Sequence, residues 1–333
     1  MQRIAFALAL AGAAAAATAV AACDAQAVSP GEPGMSPNTQ LVRFSSDALG
    51  VEKRFAIYLP ADYATAPNKR YPVFYYLHGF GGDEESWTLG AGLDAAADAM
   101  HLEAIIVMPD GDDSFYVDAR ANGDYDDCME TGAGLADASE RRATTCVRDR
   151  KYETYIIHDL IGYVDSHYRT IQSRDGRALA GFSMGGYGAL ELAGRHPDLF
   201  AAAASHSGVV SLFYVGPHPY NPAAPPQLIA DVKDEPSEWK RGLFGTDRSF
   251  WDAHDPVTLL TQLPPGKVAL YIDCGTEDDL QLDAQASYLH DQLQRKHVDH
   301  VFVLDHGHHD FNFVRKREPY SLAFLRDHTS AAK

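Results

Sequence analysis

The pentapeptide Gly181-Phe182-Ser183-Met184-Gly185 sets a serine between two glycines. The run Arg177-Ala178-Leu179-Ala180 leads into it, and the small-residue stretch Gly186-Tyr187-Gly188-Ala189 leads out. A sharp turn from strand to helix at that serine holds its hydroxyl clear of a sheet, and only flanking residues without bulk tolerate it. Ser183 is read as a nucleophile on this basis. A serine hydroxyl is a poor nucleophile at neutral pH, so the reading requires an imidazole to take its proton and a carboxylate to orient that imidazole.

Parallel sheets gather catalytic groups at the carboxyl ends of their strands, and two strand-like runs downstream end in suitable residues. After Leu270-Tyr271-Ile272-Asp273-Cys274 comes Gly275-Thr276-Glu277-Asp278-Asp279. After the run 301–304 comes Asp305-His306-Gly307-His308-His309-Asp310. Spacing alone leaves Asp273, Asp278 and Asp279 open, with Asp278 preferred and Asp279 next. Among His306, His308 and His309, the last directly precedes the closing helix and can point back across the strand ends, so it is the preferred base. The three histidines with Asp310 could instead hold a metal, but no second His/Asp cluster of ligand spacing accompanies them. No metal and no cofactor is therefore expected. Attack on a carbonyl also needs donors for the oxyanion. The backbone N–H groups of Met184, just after the nucleophile, and of Phe80, in His78-Gly79-Phe80-Gly81-Gly82, are the candidates.

The elements that must position these groups alternate along the chain. Residues 41–46 and 54–59 read as antiparallel strands; 71–77, 104–108, 200–205, 268–273 and 301–304 read as buried strands. Helices are expected at 87–100, at 152–168 from the spacing of Ile156, Leu160 and Val164, and at 284–296 and 311–326. The alternation implies an α/β fold, a mostly parallel central sheet with helices on both faces, in one catalytic domain over 41–328. Insertions fall at about 111–151 and 209–266, the second irregular enough to form a cap of loops over the site.

The N-terminus reads separately. One positive charge, an alanine-rich apolar run and small residues before Cys23 make residues 1–22 a secretory signal. Val20-Ala21-Ala22-Cys23 resembles a bacterial lipobox, which makes Cys23 a lipidation candidate and residues 23–40 a flexible tether. Ordinary cleavage after an Ala-x-Ala site is the alternative. Export to an oxidising compartment invites a disulfide between Cys128 and Cys146, worth about 3 kcal/mol for a loop of that size, and leaves Cys274 as a buried thiol. The net charge of −18 argues against nucleic acid or an anionic membrane surface as partner. Asp110, Asp112, Asp113, Asp118, Asp124, Asp126 and Asp127 would bias a site mouth against anionic substrates if they surround it; calcium is the alternative, but their spacing matches no known loop and solvation is preferred.

Taken as a set, several motifs resemble those of the esterase D branch of the α/β-hydrolases. That branch includes S-formylglutathione hydrolases, family-one carbohydrate esterases such as feruloyl esterases, and mycobacterial mycolyltransferases. The matching residues are Tyr76-Leu77-His78-Gly79 with Trp87 downstream, Met108-Pro109-Asp110-Gly111, the segment 181–188, His196-Pro197-Asp198-Leu199-Phe200, Ser207-Gly208, Cys274-Gly275-Thr276-Glu277-Asp278 and His309-Asp310-Phe311-Asn312-Phe313. The resemblance implies an α/β-hydrolase fold and a serine carboxylester hydrolase with Ser183, Asp278 and His309 on the triad positions. Phe311 stands where the family usually has tryptophan, and the segment 120–151 is longer than the family pattern. Export argues against a cytosolic thioester substrate and for short-chain or carbohydrate-linked esters of acetyl or feruloyl type. The alternatives are acyl transfer of mycolyltransferase type to a sugar or lipid alcohol, and a non-catalytic exported binding protein on the same scaffold.

Overall fold

Runs of β-forming residues without a polar break have no face to give to solvent. Val73–Leu77 and Ile105–Pro109 are buried at every position, as strands covered on both faces by helices must be. In the computed structural model, which describes residues 28–132 and 141–333, they belong to a nine-stranded sheet. The strands are β1 (Val28–Pro30), β2 (Thr39–Ser46), β3 (Val51–Tyr58), β4 (Val73–Leu77), β5 (Ile105–Pro109), β6 (Arg177–Phe182) and β7 (Ala202–His206). After a separate two-stranded ribbon, β8 (Tyr214–Gly216) and β9 (Gln227–Leu228), come β10 (Ala269–Gly275) and β11 (His300–Asp305). The sheet order is β1-β2-β3-β5-β4-β6-β7-β10-β11. The first three strands pair antiparallel, β3 joins β5 antiparallel, and every pairing from β5 to β11 is parallel.

Alternation along β4 divides the core in two. Val73, Tyr75 and Leu77 enter the cluster on one face of the sheet, while Phe74 and Tyr76 enter the cluster on the other. The strand order reverses at β4, which lies between β5 and β6, and this reversal opens a crevice at the carboxyl ends of the strands. The loop after β4 and the turn after β6 meet there.

Some elements depart from expectation. The helix expected over 87–100 is a π-helical turn, Ser86–Ala91, followed by an α-helix, Leu93–Ala99, because Gly92 adopts φ 79° and only glycine takes that conformation at little cost. The tether expected over 23–40 ends sooner. Val28–Pro30 pairs with β2, Ser36 donates through N and Oγ to Asp94 and Asp98, and Asn38 Nδ2 donates to Asp98. The polar residues of this stretch have carboxylate partners on the neighbouring helix, so from residue 28 onward it is part of the domain. Residues 1–22 and Cys23 lie outside the described residues.

The segment 209–266 is irregular, as expected: the β8–β9 ribbon and the short helices Glu238–Phe244, Arg248–Asp252 and Pro256–Leu260. Cys128 and Cys146 form a disulfide with a Cα–Cα distance of 5.7 Å, and Cys274 is a buried free thiol. Among the described residues no helix is long and apolar enough to cross a membrane.

Candidate active site

Ser183 sits at the end of β6 with φ 56° and ψ −115°, a conformation L-residues avoid. Its neighbours show why the chain can hold it there. A Cβ on Gly181 would lie 2.1 Å from the carbonyl oxygen of Gly185, and one on Gly185 would lie 2.0 Å from that of Leu77. Backbone atoms cannot yield by such amounts, so the elbow closes only with glycine at both places. The Ser183 N–H donates to His206 O at 2.9 Å, which ties the turn to β7.

The structure brings the three preferred residues into one line. His309 Nε2 is 2.9 Å from Ser183 Oγ, and His309 Nδ1 is 2.8 Å from Asp278 Oδ2. With the ring hydrogen on Nδ1 donating to the carboxylate, Nε2 is left to accept the serine proton. Asp278 Oδ1 accepts the N–H groups of Leu280 at 3.0 Å and Leu282 at 3.4 Å, and Oδ2 faces the Cys274 thiol at 3.6 Å. Burial presses the Asp278 carboxyl upward, but the His309 hydrogen bond and charge, with the two backbone donors, outweigh it and hold the group below the ordinary carboxylate range. The His309 ring leans on Phe182, with centroids 4.7 Å apart, and Phe182 in turn meets Phe311. Phe311 packs its ring onto Gly90, where a Cβ would come within 2.8 Å.

The rejected alternatives have other partners. Asp273 is fully buried between His206 and Arg317, at 2.9 and 3.3 Å. Asp279 and His308 face one another on the surface, and His306, 88% exposed, pairs with Glu277. The histidine cluster is thus divided among separate carboxylates rather than converging on one ion. Elsewhere among the described residues, Glu153, Glu191 and His254 bring three ligand atoms within 4.8 Å. The Arg195 guanidinium already lies 2.9 Å from Glu153 and 3.3 Å from Glu191 and supplies the positive charge a cation would.

The two oxyanion candidates flank the nucleophile. Met184 opens the helix Met184–Arg195, so its N–H has no acceptor within the helix ladder. The loop that carries Phe80 lies directly against the elbow: a Cβ on Gly79 would be 3.3 Å from Ser183 Cβ. His78, unremarked as a functional residue from sequence, anchors this loop. Its Nδ1 donates to Gly79 O at 2.8 Å, and its Nε2 accepts the Gly111 N–H at 2.9 Å. Its position at the end of a buried strand was the available signal.

The aspartates that could surround the mouth have different settings. The Asp110 and Asp112 side chains, 6% and 8% exposed, bracket the Lys53 ammonium at 3.0 and 2.8 Å. Asp118 accepts from Thr154, and Asp124 caps the helix Tyr125–Thr131. Burial and the neighbouring Asp110 charge push Asp112 up to about 7. Asp110, Asp112 and Asp118 are thus taken up in internal pairing, Asp113 accepts the Gly81 N–H next to Phe80, and Asp124, Asp126 and Asp127 lie exposed at the start of the helix 125–131. Lys53 gave no sequence signal, since its partners lie 57 and 59 residues away.

The Esterase family model matches residues 46–331, a span that contains the elbow, the glycine loop and both partner residues. The chain belongs to the Esterase family. It is 35% identical over 176 residues to esterase Rv1288 of Mycobacterium tuberculosis strain H37Rv, a match that covers 53% of this chain and 33% of that protein. The chain thus spans about a third of the length of that relative. It is 28% identical over 293 residues to the S-formylglutathione hydrolase of Paracoccus denitrificans, covering 86% of this chain and 89% of the relative. Its fold superposes on a solved ferulic acid esterase with a TM-score of 0.61 at 22% identity, over 86% of this chain and 98% of that one. The branch and the α/β-hydrolase fold expected from the motifs are both borne out.

Proposed function

We propose that this Esterase-family chain is an exported serine carboxylester hydrolase that works through an acyl-enzyme. The observation that carries the reading is the unbroken hydrogen-bonded line from Ser183 Oγ through His309 to Asp278, at 2.9 and 2.8 Å. Ser183 attacks the ester carbonyl as His309 Nε2 takes its proton. Asp278 keeps the ring in the acceptor tautomer and stabilises the imidazolium, and His309 then gives the proton to the leaving alkoxide. The N–H groups of Phe80 and Met184 meet the oxyanion. Water, activated by the same imidazole, releases the acid.

Short-chain or carbohydrate-linked esters of acetyl or feruloyl type are the substrates we assign, a choice supported by the fold shared with a ferulic acid esterase. Export is supported by the signal-like residues 1–22 and by the Cys128–Cys146 disulfide, a bond at home in oxidising compartments. Cys23 is the assigned site of a lipid anchor. Ser183→Ala should abolish p-nitrophenyl acetate hydrolysis and fluorophosphonate labelling while leaving the circular dichroism spectrum unchanged. A variant that keeps wild-type activity would sink the assignment, and an unlabelled wild-type serine would favour a non-catalytic binder.

A further inference from the structure

Residues 141–146, at the end of the segment expected to be an insertion, are bonded to the loop carrying Phe80. That loop, 79–85, contains Glu84, whose side chain is fully buried. Both carboxylate oxygens of Glu84 accept from Arg141 Nη2, at 2.9 and 3.2 Å, and Arg54 Nε of β3 lies 3.1 Å from Oε1. Arg141 reaches in from the insertion and immediately precedes the helix Arg142–Thr145, which ends at Cys146. Burial, joined by the Asp110 charge, raises the Glu84 carboxyl above its ordinary range, and the Arg54 and Arg141 guanidiniums only partly oppose it.

A second set of bonds runs from the same place to the same loop. The carbonyl of Thr144, two residues before Cys146, accepts from the buried Lys53 ammonium at 2.9 Å. Lys53 also pairs with Asp110 and Asp112, which belong to the turn that places Asp113. Asp113 Oδ1 accepts the N–H of Gly81 at 2.6 Å, beside Phe80. Gly81 and Glu84, which follow Phe80 in the loop, are thus each connected to residues 141–146, Glu84 directly by Arg141 and Gly81 through the 110–113 turn and Lys53.

We propose that the disulfide-closed insertion is a clip for the oxyanion loop: Arg141, acting through Glu84 as a positioning residue, fixes the Phe80 N–H at the height the oxyanion requires, and the Cys128–Cys146 bond fixes Arg141. An oxyanion donor acts on the transition state more than on the bound substrate, and removing one outright costs about 10²–10³ in kcat. Loosening the loop displaces the donor without deleting it, so the loss is smaller and falls on kcat. A consequence is that full activity belongs to the oxidised protein.

The clip rests on the acyl-enzyme reading, and the test separates the two. For the full chain, kcat and KM for p-nitrophenyl acetate are measured oxidised, after reduction with a phosphine, and in Cys128→Ser/Cys146→Ser, Arg141→Gln and Arg141→Lys. Near-UV circular dichroism and fluorophosphonate labelling are recorded for each. The expected result is a fall in kcat of about ten- to a hundredfold on reduction, in the double cysteine variant and in Arg141→Gln, with KM within about twofold, partial recovery in Arg141→Lys, and labelling that still runs to completion. Arg141→Gln with wild-type kcat overturns the clip whatever the cysteine variant does, and so does a loss that appears wholly in KM or with a collapsed near-UV spectrum. Oxidised wild type that neither hydrolyses the ester nor takes up the probe overturns the acyl-enzyme reading itself.

Discussion

Replacing Asp278 by asparagine tests the relay at the point where geometry makes a quantitative demand. Asp278 Oδ2 accepts from His309 Nδ1 at 2.8 Å, while Oδ1 accepts from Leu280 and Leu282. In Asp278→Asn the amide oxygen can keep the two backbone donors, which leaves the Nδ2 donor facing the ring. Two donors cannot share that contact, so the imidazole moves its hydrogen to Nε2. It then points an N–H at Ser183 Oγ where an acceptor is needed. Reversing the tautomer in this way costs about 10⁴ in kcat in a serine triad, or about 5 kcal/mol of transition-state stabilisation. Stability should change by only about 1–2 kcal/mol, because one charge-assisted hydrogen bond is exchanged for a neutral contact. Stopped assays on p-nitrophenyl acetate at neutral pH measure the first quantity and urea unfolding the second. Asp279→Asn, at an exposed position beside His308, is the control and should keep wild-type kcat. If Asp278→Asn retains kcat within about tenfold of wild type while folded, the carboxylate does not set the tautomer and the reasoning fails.

Two further outcomes follow from packing and burial. Gly185→Ala places a Cβ 2.0 Å from Leu77 O, a backbone clash with no flexible partner, and should cost about 3 kcal/mol or more in urea unfolding; a wild-type midpoint would show that the elbow can open. Glu318, on the closing helix Phe311–Asp327 and 1% exposed, is pushed up to about 8, chiefly by burial. The folded carboxyl holds its proton more tightly than the unfolded one, so its contribution to stability is full below about pH 4.5 and is lost as pH rises through 8, roughly 5 kcal/mol in all. Glu318→Gln should flatten the stability profile across that window, and parallel profiles for the two proteins would refute the assignment.

The chemistry was legible because its signals are local. A nucleophile turn, a carboxylate and a histidine each directly follow a run of strand-forming residues, and parallel strands bring such ends together without further information. The choice of Asp278 over Asp279 needed the turn itself, in which the Asp278 N–H bonds back to Gly275 O and its side chain faces inward. Lys53 was illegible for the opposite reason. It lies in β3, which is buried along most of its length, and a lysine there is stable only through the carboxylates that follow β5, the strand the sheet order sets beside it. The docking of 28–38 was missed because Pro, Gly and Ser composition reports local flexibility and says nothing of a free sheet edge or of Asp94 and Asp98, some sixty residues away. Gly92 broke a helix whose apolar spacing continued through it, since spacing does not register a left-handed φ.

The docking of β1 on β2 also shortens the leash. If Cys23 carries the lipid, only residues 24–27 separate the anchor from the first hydrogen-bonded strand at Val28, a reach of at most about 18 Å even fully extended. The sheet would then stand close above the bilayer along its β1 edge. The serine at the end of β6 is five strands further across, about 24 Å at ordinary interstrand spacing. An enzyme held this way works within a shallow layer next to the membrane, and esters displayed in that layer meet it far more often than those free in the surrounding fluid.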